Sequence, residues 1–168
     1  RLLQSVRTVL KANTVSDIAE KAQGMQDEFR QLKRELDNAN LTLAFSKITE
    51  AYERATELCG VRLVTCRFGD IPSDSLRTAA DRLIDKNKET VCVFATVNEG
   101  KVLFVASCGK AAVAAGAHAG NILKAVSPIV GGGGGGRPDS ATSGGKDAAK
   151  LDEALAAVGE ILNKQIKK

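Results

Sequence analysis

The sequence predicts an α/β globular domain, a small β-sheet flanked by helices, preceded by an α-helical hairpin or coiled-coil-like extension. Three observations carry that reading. A heptad seam of apolar residues runs through the first part of the chain. After Gly60 the apolar spacing changes from a helical period to the alternation of strands. Six consecutive glycines followed by Arg-Pro-Asp then interrupt the second half, ahead of a last helical pattern. The boundary is placed between residues 1–58, the helical part, and residues 59–168, the globular part.

In chain order, Leu2, Val6 and Val9 open a short helical rhythm that stops at Asn13. The segment Asn13-Thr14-Val15-Ser16-Asp17 supplies turn formers, and Thr14 with Asp17 has the spacing of a capping box. Ile18, Ala22, Met25, Phe29, Leu32, Leu36, Ala39 and Leu43 then follow at spacings of 4, 3, 4, 3, 4, 3 and 4. Such a stripe packs on another helix, either within a hairpin or in a partner chain; one continuous helix with an irregular joint is the alternative to the hairpin. Residues 61–68 alternate and are rich in β-formers, which predicts a strand. Ser73 is the expected N-cap of a helix that buries Leu76, Ala80, Leu83 and Ile84. Residues 90–97 and 101–107 read as a hairpin around Asn98-Glu99-Gly100. Residues 110–126 read as an alanine-rich helix, broken at Gly116 or Gly120. The glycine run follows as a loop. The last helix begins after Gly145, with Ala148, Leu151, Leu155, Val158 and Leu162 on one face and Lys164, Lys167 and Lys168 complementing its dipole.

Composition excludes several classes. The chain of 168 residues is 43% hydrophobic and 26% charged, which suits a folded soluble domain, and no apolar stretch approaches the roughly 18 residues of a membrane span. It begins at Arg1, not Met, without a signal-peptide layout, so a piece of a longer protein is expected; the location expected is cytoplasmic, with an organelle as the alternative. Aromatic residues are 4% of the chain and Trp is absent, which disfavours a stacking platform for single-stranded nucleic acid. The net charge of +4 lies wholly in residues 61–168, and from Gly100 to Pro138 there is no acidic residue. That half is the candidate anion-facing half. Cys59, Cys66, Cys92 and Cys108 form no zinc-type spacing; Cys66, Cys92 and Cys108, in apolar, β-branched surroundings, read as buried free thiols, and a reducing compartment is expected. The single histidine, His118, sits among small residues and reads as a packing or surface residue. No nucleophile–base set, metal cluster or ATP site is assembled, so no catalysis and no cofactor are expected.

Eight of the sixteen glycines lie in residues 131–145, GGGGGGRPDSATSGG. Ordering such a run is entropically expensive, so a use is expected of it: bare backbone lets phosphate or ribose approach where side chains would block them. Arg137 adds a fork of donors and Pro138 stiffens the exit. The helix after Gly145 is expected to turn its N-terminus toward the loop and favour an anion there. Gly131, Gly133 and Gly136 match a dinucleotide fingerprint trivially, without the preceding strand or following helix, and Asp147 stands where a P-loop needs Ser or Thr. A flexible linker is the bland alternative.

Residues 131–145 resemble the signature Gly-Gly-x-Gly-Gly-Gly-Arg-Pro-Asp-x-Ala-x-x-Gly-Gly of alanyl-tRNA synthetase C-terminal domains, the DHH-associated module. His118-Ala119-Gly120, Val130 and the heptad helix also look like that family, so the resemblance covers nearly the whole chain. It implies a non-catalytic appendage that grips the tRNA elbow, where the D- and T-loops meet, and helps aminoacylation and editing share one tRNA. The DHH sequence of the phosphoesterases that carry the same module is absent. By the resemblance, Gly131, Gly132, Gly133, Gly134, Gly135, Gly136, Arg137, Pro138 and Asp139 form the contact loop; Lys124 and Lys146 join it on charge and proximity in sequence. Gly133 stands at a position often basic in relatives. The implied partners are alanine-specific tRNA, the remainder of the synthetase chain and, through the helical part, a second copy. DNA, or a protein partner of the seam, is the rival ligand; no membrane partner is expected.

Overall fold

The computed structural model describes residues 2–166, and the chain divides into two compact units, Arg1–Ala39 and Asn40–Lys168. Lys167 and Lys168, expected to complement the last helix, lie outside the described residues.

Helix α1 (Leu2–Val9) and helix α2 (Ser16–Glu53), which runs from the first unit into the second, are separate, joined by a turn rather than continuous. The expected capping box forms. The Thr14 amide donates to Asp17 Oδ2 at 2.9 Å and the Asp17 amide to Thr14 Oγ1 at 3.3 Å. These bonds hold the Asp17 carboxyl below its usual range. The seam is not covered by α1: Met25, Phe29, Leu32, Leu36 and Leu43 are exposed, as are Leu2, Leu3, Val6 and Val9. The short first helix ends too soon to shield a stripe that runs on for several more turns, so packing within a hairpin is not how the seam is satisfied.

In the second unit a six-stranded sheet has the order β1-β2-β3-β4-β6-β5. β1 (Thr56–Leu58) and β2 (Val61–Phe68) are antiparallel, turning on Cys59 at φ +49° and Gly60 at φ +82°. Helix α3 (Ser73–Lys86) crosses over to β3 (Thr90–Asn98), parallel to β2. Its cap is Pro72, not Ser73; no side chain caps it, and the Ser75 and Leu76 amides donate to the Pro72 carbonyl. β3 and β4 (Lys101–Cys108) form the expected hairpin, with Glu99 and Gly100 both at positive φ, the turn that matches strand twist.

The alanine-rich stretch breaks at Gly116, φ +109°, into α4 (Lys110–Ala114) and α5 (Ala119–Val126). A 3₁₀ turn at Ser127–Val130 follows and ends on Gly131 in the left-handed region, φ +65°. The glycine run then departs from expectation. Gly133–Gly136 is not a loop but strand β5, paired antiparallel with β6 (Ser140–Gly145) and completing the sheet beside β4. Strand patterning missed both because neither carries the β-branched alternation that marks a strand. Ala148–Lys150 makes a 3₁₀ turn before the last helix, α6 (Leu151–Ile166).

Both sheet faces are covered. Val61, Val91, Val93, Val102, Phe104 and Ala106 pack against Ile122, Leu123 and Val126 of α5 and Leu151, Val158 and Leu162 of α6. On the other face Val64, Phe68, Phe94 and Val105 pack on Leu76, Ala80 and Leu83 of α3 and on Ala44 and Ile48 at the end of α2. Phe68 and Phe94 meet edge to face at 5.6 Å between centroids. Strict alternation along β3 and β4 feeds both cores.

α5 lies directly on the glycine strand. A Cβ on Gly120 would fall 2.2 Å from the Gly136 carbonyl oxygen, so that contact is backbone on backbone. Gly120→Ala is therefore expected to destabilise the domain by about 1–3 kcal/mol. Gly135→Ala, where an added Cβ meets nothing within 4 Å, is expected to be neutral or to stabilise by about 0.4–1 kcal/mol. Urea unfolding of the two variants checks the contrast.

Burial pushes the Cys108 thiol up to about 12 and the Cys92 thiol higher still, whereas Cys59 is exposed. Iodoacetamide at neutral pH is expected to modify Cys59 readily, half-buried Cys66 slowly, and Cys92 and Cys108 only after unfolding, as read by mass spectrometry.

Candidate nucleic-acid interface

The candidate interface is built on β5, an edge of the sheet. Its glycines alternate in what they face. Added Cβ atoms on Gly134 and Gly136 would lie 2.3 Å and 2.6 Å from the Cβ atoms of Ser143 and Ala141, on the side that packs under α5. Gly132 is likewise closed, with the Gly144 carbonyl oxygen 1.7 Å from where its Cβ would be. Gly133 and Gly135 point to the opposite side, and a Cβ on either meets nothing within 4 Å. Their cross-strand partners are Gly144 and Thr142. Gly144 in turn sits opposite Leu103 of β4. Gly133, Gly135, Thr142 and Gly144 thus form a patch of sheet on which the Thr142 side chain alone projects.

The tip of the β5–β6 hairpin carries Arg137, Pro138 and Asp139, held from behind by the start of α5. The Ala119 amide donates to the Pro138 carbonyl at 2.9 Å and the Gly120 amide to the Arg137 carbonyl at 3.1 Å. Across the tip, the Arg137 amide donates to the Ser140 carbonyl at 3.0 Å. The Arg137 backbone is fixed while its side chain is 73% exposed, at 3.6 Å from Asp139. Such an exposed ion pair is weak, and the guanidinium can exchange it for a phosphate without loss. His118 caps α5, its Nδ1 accepting from the Asn121 amide at 3.1 Å, a structural role more specific than general packing.

The start of the last helical segment does not serve as an anion site. Asp147 caps it, its carboxylate accepting from the Ala149 amide at 3.1 Å, and the Lys146 and Asp147 amides donate to the Val130 carbonyl. The chain's own carboxylate stands where the helix dipole would favour a ligand.

Of the basic residues expected near the loop, Lys146 is exposed one residue beyond β6, and Lys124 is exposed on α5, the helix that covers the other side of β5. The geometry instead gathers cations that sequence order keeps apart. Arg77, Lys88 and Lys110 join Arg137 around a cleft of about 330 Å³ between α3 and the hairpin tip, together with Asp81, Asp85 and Asp139. Arg77 donates to Ser140 Oγ at 2.7 Å, which ties α3 to β6. The sequence held no signal for it: Asp74 and Asp81, one turn away on either side, read as ordinary helix partners of Arg77, yet among the described residues it makes no ion pair with either.

The DHHA1 domain profile matches residues 60–164. The chain belongs to the DHHA1 domain family. The region so assigned begins just before β2 and takes in the glycine hairpin and most of α6. Alanine–tRNA ligases of Acetivibrio thermocellus and Shouchella clausii are each 37% identical over 99% and 96% of the chain, which spans 19% and 18% of their lengths. The C-Ala domain of Aquifex aeolicus alanyl-tRNA synthetase superposes with a TM-score of 0.60 at 30% identity, over 65% of this chain and 97% of that one. An exopolyphosphatase-related protein from Bacteroides fragilis, 11% identical with a TM-score of 0.51, shares the fold alone. The kinship expected from residues 131–145 with the C-terminal domains of alanyl-tRNA synthetases thus holds, as do the fold class and the long helix that precedes the sheet.

Proposed function

We propose that this DHHA1 domain is a non-catalytic, C-terminal tRNA-binding part of an alanyl-tRNA synthetase, which holds the tRNA elbow and so helps aminoacylation and editing share one tRNA. The observation that carries the reading is the patch at Gly133 and Gly135, where an added Cβ would meet nothing within 4 Å. A sugar–phosphate backbone can lie on that patch at van der Waals distance, with Arg137 and Arg77 at its end to take phosphate oxygens. Recognition of this kind reads shape and backbone rather than base sequence, as folded RNA requires. Lys146 and Lys124 are proposed as peripheral contacts. Affinity of the isolated chain is modest at a net charge of +4, and linkage to the remainder of the synthetase raises it.

Titration of alanine tRNA into the chain at 50 and 200 mM salt tests this. Saturable binding that weakens with salt is expected. Arg137→Ala should weaken binding about tenfold and lower the salt slope by about 1. Gly135→Glu, tolerated by the fold, should abolish it. Equal competition by duplex DNA would contradict selectivity for tRNA, and no saturable binding at 50 mM would contradict the reading altogether.

A second reading concerns the first unit, since the exposed seam favours a second copy as partner. In a parallel, in-register pair, Glu28 of each helix would stand opposite Lys33 of the other, flanking apolar layers at Met25, Phe29, Leu32 and Leu36. Sedimentation equilibrium is expected to give a dimer that Phe29→Asp with Leu36→Asp converts to a monomer. A monomeric wild type at 100 µM would reject it.

A further inference from the structure

Helix α5 starts with a full set of outside partners. The first amides of a helix have no acceptor within it, and at α5 each finds one elsewhere. The Ala119 amide donates to the Pro138 carbonyl at 2.9 Å and the Gly120 amide to the Arg137 carbonyl at 3.1 Å. The third amide, that of Asn121, donates to Nδ1 of His118 at 3.1 Å. From Ile122, whose amide donates to the His118 carbonyl at 3.0 Å, the helix satisfies itself. His118 is anchored in turn, since its own amide donates to Oε1 of Gln165 on α6 at 3.0 Å. One half-buried residue thus joins α6 to the helix start whose amides hold the hairpin tip.

The choice of cap is unusual. Serine, threonine, asparagine and aspartate are the preferred caps, and their oxygens accept throughout the neutral range. An imidazole accepts at Nδ1 only while the ring is neutral with its hydrogen on Nε2; in the cation both nitrogens donate. Protonation of His118 would set an N–H against the Asn121 N–H and place a positive charge at a helix start, where the dipole opposes it. The surrounding charges do not compensate. On α6, Lys164 lines the groove beside the ring with Ile161 and Gln165, and among the described residues no carboxylate lines it. The charged residue of α5 itself is Lys124. The hairpin tip packed on the start of α5 carries Arg137 and Asp139, which pair with each other at 3.6 Å.

We propose that His118 is a positioning residue for the hairpin tip, and that its capping of α5 makes the hold on RNA depend on pH. The inference rests on the RNA-binding reading of that tip. The neutral ring fixes the start of α5, and the Gly120 and Ala119 amides then fix the backbone of Arg137 and Pro138. Protonation removes the acceptor, frays the first turn and frees the tip, so the guanidinium of Arg137 is presented less often in its binding position. The cap is present in full at the alkaline end of the range in which histidines titrate, about pH 8 to 5, and is lost as pH falls through it.

The test measures amide hydrogen exchange by ¹⁵N NMR and titrates alanine tRNA, at pH 7.5 and pH 5.5, on the chain of 168 residues. Wild type, His118→Asn and His118→Ala are compared, since asparagine keeps an accepting oxygen at both pH values. In the wild type, protection factors of the Ala119 and Gly120 amides are expected to fall about tenfold at pH 5.5, with those of Phe94 and Val105 in the core strands unchanged. His118→Asn should hold its protection at both pH values, and His118→Ala should show the low protection at both. Affinity for tRNA should follow: wild type equals His118→Asn at pH 7.5 and is about fivefold weaker than it at pH 5.5. A merely structural histidine would lower Tm in both variants and give wild type and His118→Asn the same pH profile, which overturns the proposal. Equal protection in wild type and His118→Ala at pH 7.5 overturns it too, as does tRNA affinity that ignores a change in protection. The expected protection pattern without tRNA binding by any variant keeps His118 as the residue that fixes the tip and overturns the RNA reading.

Discussion

Helix α5 rests on a strand without side chains, and most of the second unit is arranged around that contact. With Gly120 on the helix and Gly136 on the strand, the two backbones approach closely enough that the helix's first amides reach the carbonyls of Arg137 and Pro138. Those bonds satisfy donors that a helix start leaves orphaned and fix the hairpin tip in the same stroke. On the strand, Gly134 and Gly136 are closed by neighbours at less than 3 Å, as is Gly132 just before it. On the helix, Ile122, Leu123 and Val126 are free to enter the core beside β4 because α5 is drawn in so far.

Packing accounts for only part of the glycine run. Glycine within a strand is destabilising by about 0.5–1 kcal/mol relative to alanine, so Gly133 and Gly135, which nothing crowds, together forgo about 1–2 kcal/mol. Against an ordinary domain stability of about 5–15 kcal/mol that is an appreciable amount. What they leave is an open patch of sheet at the side of the strand facing away from α5, which on the proposed function receives a ligand's backbone. Arg137 stands at the end of that patch with its backbone bonded on two sides and its side chain in solvent. On the proposed function, the stability forgone at two positions and the donors placed at a third serve one ligand, a polyanion with a regular backbone.

Much of this was legible in the sequence, and the parts that were not have identifiable causes. The heptad stripe, the capping box at Thr14 and Asp17, the strand at residues 61–68 and the Glu99-Gly100 hairpin each carry a local signal that structure obeys. Strands β5 and β6 carry none, because a glycine strand is specified by what packs on it rather than by its own residues. Pro72 displaced Ser73 as cap because an extended proline carbonyl already receives the amides that a serine would have served. At the site, contiguous residues from Gly131 to Asp139 could be read from their motif, whereas Arg77 and Lys110 reach the same place by crossover and sheet pairing, which no spacing along the chain records. Lys124 illustrates the converse: close to the run in sequence, it is carried by the helix on the strand's other side.

The most direct test is amide mapping by ¹⁵N NMR as alanine tRNA is added, because glycine amides occupy their own region of the spectrum. The account predicts that the amides of Gly133, Gly135, Arg137, Thr142 and Gly144 shift or broaden first, with those of α6 and α1 unmoved. Perturbation concentrated instead on α5 and α6, with the Gly133 and Gly135 amides unchanged at saturation, would contradict it.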